Sequence, residues 1–230
     1  MRLFMLLIAF ALISSDYAQA ESQDRDADQP KVLIIGDSIS LGYTPHVVRL
    51  LKDKADVQHN PGNAQHTGTG LKKIDQWLGK TQWDVIHFNW GLWDLCYRHP
   101  ESKNQGRRDK VRGTLTTSLE QYEKNLDQLV TRLRKTGAVL IWATVTIVPE
   151  GEAGRIVGDD RKYNAIAAKV MKKHGVAVND LHAATVKFPS ELFVKPGDVH
   201  FTREGYERLA KQVAERIEAA IRESKSERAD

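Results

Sequence analysis

Apolar runs alternate with amphipathic stretches along this chain after residue 30, and this alternation restricts the fold more than any other feature. Extended, largely apolar runs predict five strands, at residues 32–35, 55–59, 83–89, 138–148 and 176–178. Helical spacing follows each of them, in segments 46–54, 70–78, 115–133, 163–173 and 206–221. Strands separated by helices pair in parallel through right-handed crossovers. The sequence therefore predicts an α/β fold with a five-stranded parallel sheet.

The two ends of the chain differ from the region between them. Arg2, an apolar run at 3–13 and the tripeptide Ala18-Gln19-Ala20 predict a signal peptide over residues 1–20. The run is shorter than the ~20 residues that cross a bilayer, so we expect a secreted or periplasmic protein with no membrane span after signal removal. A retained N-terminal anchor is the alternative. We expect residues 21–30 to form a polar leader, 31–222 a single domain and 223–230 a polar C-terminal tail.

Composition excludes several classes of function. The net charge of +4 is mixed with acidic residues throughout, and no basic stripe with interleaved aromatic residues predicts nucleic-acid binding. An anionic polysaccharide or surface is one interpretation of that charge, and an ordinary solvated exterior is the preferred one. The single cysteine, Cys96, excludes an internal disulfide. The histidines are scattered, without H-E-x-x-H or cysteine pairs, so no metal or other cofactor is expected.

Four short polar segments lie where the predicted strands end or the last helix begins. Ser38 follows the first strand, Gly62 the second and Gly91–Asp94 the third, while Asp198–His200 precedes the final helix. Carboxyl ends of parallel strands share one edge of a sheet, where open α/β sheets form their binding crevices. We therefore expect these segments to meet in one crevice.

These segments resemble the four conserved blocks of the SGNH (GDSL-type) hydrolase family, in the same order and over residues 31–220. The matching segments are Gly36-Asp37-Ser38-Ile39-Ser40, Asn60-Pro61-Gly62-Asn63, Gly91-Leu92-Trp93-Asp94 and Asp198-Val199-His200. The resemblance implies a flavodoxin-like three-layer α/β/α sandwich. Two departures affect the site: Trp93 occupies the usual asparagine position, and the acid precedes His200 by two residues instead of three.

The resemblance implies a catalytic triad. Ser38 is the expected nucleophile and His200 the general base that takes its proton. Asp198 is expected to orient His200; a backbone carbonyl is the alternative, because Gly197 occupies the family's usual acid position.

It also implies an oxyanion hole built from the backbone N–H groups of Ser38 and Gly62 and a third donor. Asn63 is the preferred third donor because it lies on the same loop as Gly62. Asn89 and Trp93 are the alternatives.

Three aromatic residues, Trp90, Trp93 and Tyr97, cluster after the third predicted strand and are candidate substrate-binding residues. They either stack on a sugar or pack in the core and loops. Together with the expected export, they favour a secreted serine esterase acting on small acyl groups, acetyl above all, on a small-molecule or glycan ester. The alternatives are a lipid-directed esterase, lysophospholipase or thioesterase of the same fold, and a non-catalytic carbohydrate-binding protein on a degenerate version of it. The oligomeric state stays open.

Overall fold

A five-stranded parallel sheet forms the centre of the computed structural model, which describes residues 29–227 and side chains as far as residue 224. The predicted signal peptide, leader residues 21–28 and residues 228–230 lie outside the described residues. The strands of the sheet are β1 (Lys31–Ile35), β2 (Asp56–His59), β3 (Val85–Phe88), β6 (Val139–Ala143) and β7 (Ala177–Asn179). Their order is β2-β1-β3-β6-β7, and every neighbouring pair is parallel. The predicted fold class is confirmed.

Helices flank the sheet in two groups. They are α1 (Ser38–Leu50), α2 (Thr67–Leu78), α3 (Leu119–Arg134), α4 (Asp159–His174), α5 (Leu181–Thr185) and α6 (Arg203–Glu227). The first helix packs against the last, and α3 packs against both α2 and α4. None of the helices within residues 29–227 is both long and apolar enough to span a bilayer.

The core lies between these layers. Strand residues 32–35 and 85–88 are all buried, as the run of apolar side chains predicts for strands covered on both faces. Amphipathic α3 buries Tyr122, Leu126, Leu129 and Leu133 at helical spacing.

Several elements differ from their predicted bounds. The first helix begins at Ser38 instead of residue 46, because the Asp37 side chain accepts a hydrogen bond from Ile39 N and caps it. Pro45 is accommodated inside this helix, although proline usually marks a boundary. At the other end, α6 continues through residues 223–227, which were predicted to form part of a polar tail.

The fourth strand of the sheet ends at Ala143, short of the predicted 138–148. Beyond it, the side chain of Asn164 in α4 accepts from Val145 N at 2.8 Å and donates to Val145 O at 2.9 Å. A side chain thus takes the place of a neighbouring strand, and the chain can turn into the loop that follows.

The polar, Arg- and Lys-rich segment 96–114 contains a small antiparallel ribbon. Its strands are β4 (Tyr97–Arg98) and β5 (Thr114–Leu115), with a short 3₁₀ turn at Gln105–Arg107. Backbone hydrogen bonds join this segment to the loop after β6: Tyr97 N donates to Gly154 O at 2.7 Å and Lys110 N to Ala153 O at 2.9 Å. The two loops therefore form one wall beside the sheet edge.

Candidate active site

Ser38 lies at the carboxyl edge of the sheet, where β1 gives way to α1. It is the first residue of the helix, directly after the capping residue Asp37. Backbone N–H groups in the first turn of a helix have no acceptor within the helix. This position therefore presents both a hydroxyl and a backbone N–H that has no acceptor among the described residues to the space above the sheet.

His200 reaches the same place from the opposite end of the chain. Its Nε2 lies 2.9 Å from Ser38 Oγ, across 162 residues of sequence. Hydrogen-bond contact of this kind is what an imidazole needs in order to take a proton from a serine hydroxyl.

Asp198 orients the ring of His200. Its Oδ1 lies 2.6 Å from His200 Nδ1 and also accepts the backbone N–H of His200 at 3.0 Å. The Nδ1 proton therefore faces the carboxylate, which leaves Nε2 as the acceptor for Ser38 Oγ. Burial raises the pKa of the Asp198 carboxyl, but the hydrogen bonds from His200 and the charge of Arg108 outweigh it and hold the pKa below its usual value.

Gly197 explains the two-residue spacing between the acid and the histidine. Its φ is +72°, and a Cβ at this position would lie 2.7 Å from Gly151 O. An aspartate in the family's usual position would meet the backbone of the neighbouring loop, so the carboxylate comes from the next residue. The close turn allows Asp198 to fold back onto His200.

Asn60 joins the first two strand ends, a role that the sequence analysis did not assign. Its buried side chain accepts from Gly36 N at 2.9 Å and donates to Gly62 O at 3.0 Å. This bridge holds the turn that carries Gly62, whose φ is +70°, beside the end of β1. The Gly62 N–H makes no hydrogen bond with another described residue.

The three candidates for a third oxyanion donor differ in their surroundings. Asn63 lines the cleft with Ser38 and His200; its Oδ1 accepts from Gln65 N at 2.8 Å, and its Nδ2 has no partner among the described residues. Asn89 Nδ2 already donates to Ala143 O at 2.6 Å. Trp93 lines the cleft, with the guanidinium of Arg98 4.1 Å from its ring centroid. Asn63 is the preferred donor because its amide N–H₂ group has no described partner and the residue lines the cleft, whereas Asn89 does not line the cleft. Trp93 Nε1 also has no described partner, but Arg98 lies over the ring that carries it.

Asp94 stabilises the loop after β3 by hydrogen bonds to the start of α2. It is fully buried and accepts from Thr67 N at 3.0 Å and Thr67 Oγ1 at 2.6 Å, which anchors the start of α2. Burial raises its pKa to about 7, against the lowering effect of the hydrogen bonds from Thr67 and Thr117. The residue therefore holds a loop in place instead of facing the cleft.

The cleft at Ser38 contains about 440 Å³ of empty space, part of it open to solvent. Three arginines, Arg98, Arg108 and Arg155, line it, and no aspartate or glutamate does. Arg98 and Arg108 lie in the Arg- and Lys-rich segment 96–114, and Arg155 lies in the loop after β6. No motif spacing singles out these three residues, and only the folded loops bring them together.

Of the three aromatic residues predicted to bind substrate, one lines the cleft. The prediction that Trp90 binds substrate is wrong. Trp90 is fully buried, packs near Phe88 and covers Gly70 of α2, so it belongs to the core. Tyr97 is half-buried in β4 and does not line the cleft. Only Trp93 lies beside Ser38, with one ring face covered by Arg98.

Within residues 29–227, no three histidine, cysteine, aspartate or glutamate side chains are grouped so that they would hold a metal ion.

Comparison with protein families identifies a match. The sequence profile of the GDSL-like lipase/acylhydrolase family matches residues 34–208, which include Ser38, Asn63 and His200. A search of curated proteins found no match.

Solved structures share the fold at low sequence identity. The acetyl xylan esterase AlAXEase is 17% identical with a TM-score of 0.64, and the match covers 80% of this chain and 97% of that one. A lipase/acylhydrolase from Enterococcus faecalis is 19% identical with a TM-score of 0.66, covering 83% and 96%. A catalytic mutant of Axe2, an acetylxylan esterase from Geobacillus stearothermophilus, is 15% identical with a TM-score of 0.64, covering 84% and 94%. At these identities the likeness shows the fold.

Proposed function

Because the chain belongs to the GDSL-like lipase/acylhydrolase family, we propose that it is a serine esterase that releases small acyl groups from carbohydrate esters. The observation that carries the proposal is the hydrogen-bonded series from Ser38 Oγ through His200 to Asp198, with separations of 2.9 and 2.6 Å. A serine, an imidazole and a carboxylate in this order form a nucleophile, its base and the group that sets the base's tautomer.

In the proposed reaction, Ser38 Oγ attacks the ester carbonyl carbon while its proton passes to His200 Nε2. The oxyanion of the tetrahedral intermediate accepts hydrogen bonds from Ser38 N, Gly62 N and Asn63 Nδ2. Collapse breaks the bond to the alcohol, which leaves with the proton from His200, and an acyl-Ser38 ester remains. Water then gives a proton to His200 as it attacks this ester. Loss of Ser38 Oγ, reprotonated by His200, releases the carboxylic acid.

The proposed substrate class depends on the polarity of the cleft. Its polar and cationic lining favours a polar ester and does not favour a long hydrocarbon chain. Acetyl xylan esterases among the proteins of similar fold support the choice of an acetyl group on a glycan. We expect a glycan or other small ester as the only partner needed for turnover.

Fluorophosphonate labelling tests the nucleophile directly. Ser40 provides a matched control, because its hydroxyl also lies within 2.7 Å of a histidine, His59, but it is buried. The wild type and Ser40→Ala should be labelled, whereas Ser38→Ala should not. Labelling of Ser38→Ala, or its absence from the wild type, would contradict the proposal; the second result favours the non-catalytic carbohydrate-binding alternative.

A series of p-nitrophenyl esters tests the acyl group. We expect kcat/KM to be highest for acetate and to fall as the chain lengthens, and acetylated glycans to lose acetate. An optimum at eight carbons or more would favour the lipid-directed alternative and overturn the substrate class while leaving the serine mechanism intact.

Export is part of the proposal and depends on the N-terminal pattern of residues 1–20. Expression of the full chain in a bacterium, followed by cell fractionation and N-terminal sequencing, should give a mature protein outside the cytoplasm that begins near Glu21. An uncleaved, membrane-bound product would favour the retained anchor.

A further inference from the structure

The three cleft arginines differ in how far their hydrogen-bonding groups are used. Arg155 is almost fully buried: its Nε donates to Leu92 O at 2.7 Å, and its Nη1 to Glu152 Oε1 at 2.8 Å. Arg108 donates from Nη1 to that same oxygen at 2.8 Å and from Nε to Gln105 O at 3.0 Å. Their Nη2 groups make no hydrogen bond with another described residue.

Arg98 is the least committed of the three. Its Nη1 donates to Gly106 O, while Nε and Nη2 have no hydrogen-bond partner in the described part of the chain. Its guanidinium carbon lies over the Trp93 ring, 4.1 Å from the ring centroid. A cation–π contact of this kind holds the guanidinium at the ring, and the N–H groups without a partner are available to a ligand.

The charges at the cleft do not balance. Glu152, fully buried, is the carboxylate that pairs with Arg108 and Arg155. Its second oxygen already accepts from Gly154 N at 2.6 Å. Oδ1 of Asp198 already accepts a hydrogen bond from His200. Among the described carboxylates, only Glu152 therefore forms ion pairs with these arginines, and Arg98 forms none.

The like charges of Arg155 and Arg108 repel the guanidinium of Arg98. Burial lowers the pKa of this guanidinium, these like charges act in the same direction, and Cys96 and Glu152 act against them. An anionic ligand in the cleft would relieve this repulsion, and a planar carboxylate matches the paired donors of a guanidinium.

We propose that the cleft recognises a carboxylate carried by the substrate, bound by the free N–H groups of Arg98 and Arg108 while the ester carbonyl lies at Ser38. The proposal rests on the esterase function and narrows its substrate class to acylated acidic sugars, such as acetylated uronic acid residues. Trp93 supplies the platform that holds Arg98 in its binding pose.

A matched pair of substrates tests this proposal: methyl O-acetyl-glucuronide as the free acid and as its neutral methyl ester. For the wild type we expect kcat/KM to be about tenfold or more higher for the acid, since hydrogen bonds between charged groups are among the stronger ones in proteins. Raising the salt concentration from 50 to 500 mM should reduce this ratio.

Arg98→Gln and Arg108→Gln should reduce the acid-to-ester ratio towards one, mainly by raising KM for the acid. Lys110→Gln removes the same charge from the same loop at an exposed position outside the cleft, and its ratio should match that of the wild type. A ratio near one in the wild type, or a ratio that persists in both arginine variants, would overturn the proposal. A fall in Lys110→Gln equal to that in Arg98→Gln would also overturn it, because overall charge would then explain the preference.

Two further measurements test the carboxylate site independently of the uronate turnover assay and of the esterase function on which the proposal rests. Comparison of p-nitrophenyl hemisuccinate with p-nitrophenyl butyrate, a neutral ester with the same leaving group and acyl length, tests whether the carboxylate belongs on the acyl group; a preference for the hemisuccinate that is lost in Arg98→Gln would contradict the acidic-sugar assignment. Binding of a glucuronic acid oligosaccharide to Ser38→Ala, followed by calorimetry, needs no turnover. Binding that is lost on adding Arg98→Gln supports the carboxylate site even if the esterase proposal fails, and absence of binding overturns the site even if ester hydrolysis is found.

Discussion

His200 donates two hydrogen bonds to one oxygen of Asp198, from Nδ1 at 2.6 Å and from its backbone N–H at 3.0 Å. The carboxylate therefore holds the loop and the ring together. The same contact also directs Nε2 towards Ser38 Oγ. A single short-range interaction thus sets the position and the tautomer of the proposed base.

Replacing Asp198 with asparagine tests this relationship. The amide oxygen can still accept the backbone N–H of His200, but the amide N–H₂ group cannot do the carboxylate's work of stabilising the imidazolium. We expect kcat on an acetyl ester to fall about 10²- to 10⁴-fold while the protein stays folded. Circular dichroism and thermal melting serve as the control, and a kcat within threefold of the wild type would contradict the assigned role.

Gly197→Ala tests why the acid lies two residues before the histidine. The added Cβ would meet Gly151 O at 2.7 Å in a backbone with φ of +72°, so we expect a loss of about 3 kcal/mol in the free energy of unfolding. Gly175→Ala is the matched control: its φ is +66°, but nothing lies within 4 Å of the added Cβ, so it should cost only about 1 kcal/mol. Equal losses in urea denaturation would show that the contact with Gly151 does not matter.

The third oxyanion donor is tested at Asn63. Asn63→Ala should lower kcat about 10²- to 10³-fold with a smaller effect on KM, because the donor acts on the charge that develops in the transition state. Asn63→Asp retains an oxygen for Gln65 N but removes the N–H₂ donor, so it should lose at least as much activity. Asn89→Ala should reduce stability more than kcat, since its amide supports Ala143; the reverse pattern would assign the donor to Asn89.

The buried carboxyl of Asp94 predicts a pH dependence of stability. Its folded-state pKa is about 7, against an ordinary value of 3.8, so between these values the folded protein binds more protons than the unfolded chain. Its contribution to stability therefore falls as the pH rises from about 4 to about 7 and is constant above that range.

Asp94→Asn removes this titration. One unit of pKa corresponds to about 1.4 kcal/mol, so the free energy of unfolding of the wild type relative to the variant should fall by on the order of 2–4 kcal/mol between pH 4.5 and pH 8. Urea denaturation across this range measures the difference. A flat difference, or one of opposite slope, would show that Asp94 is ionised throughout.

Local patterns were sufficient for much of the fold and for part of the site. Apolar runs and helical spacing are properties of neighbouring residues, so the order of strands and helices could be read from them. The resemblance of four short segments to a known family then singled out Ser38, Asp198 and His200, which the structure brings together. Trp90 was misassigned because a tryptophan after a strand has the same local signature whether it faces a cleft or the core.

The amino-acid order alone determined the parallel α/β architecture and which residue types stand at the strand ends, because both depend on short-range periodicity. Only the tertiary structure decided that Arg98, Arg108 and Arg155 face Ser38 in one cleft, that Gly151 excludes a side chain at position 197, and that Asn63 lines the cleft while Asn89 supports Ala143 outside it. These features arise from contacts between segments far apart in the chain. No spacing in the sequence records them, since each depends on how loops pack across the edge of the sheet.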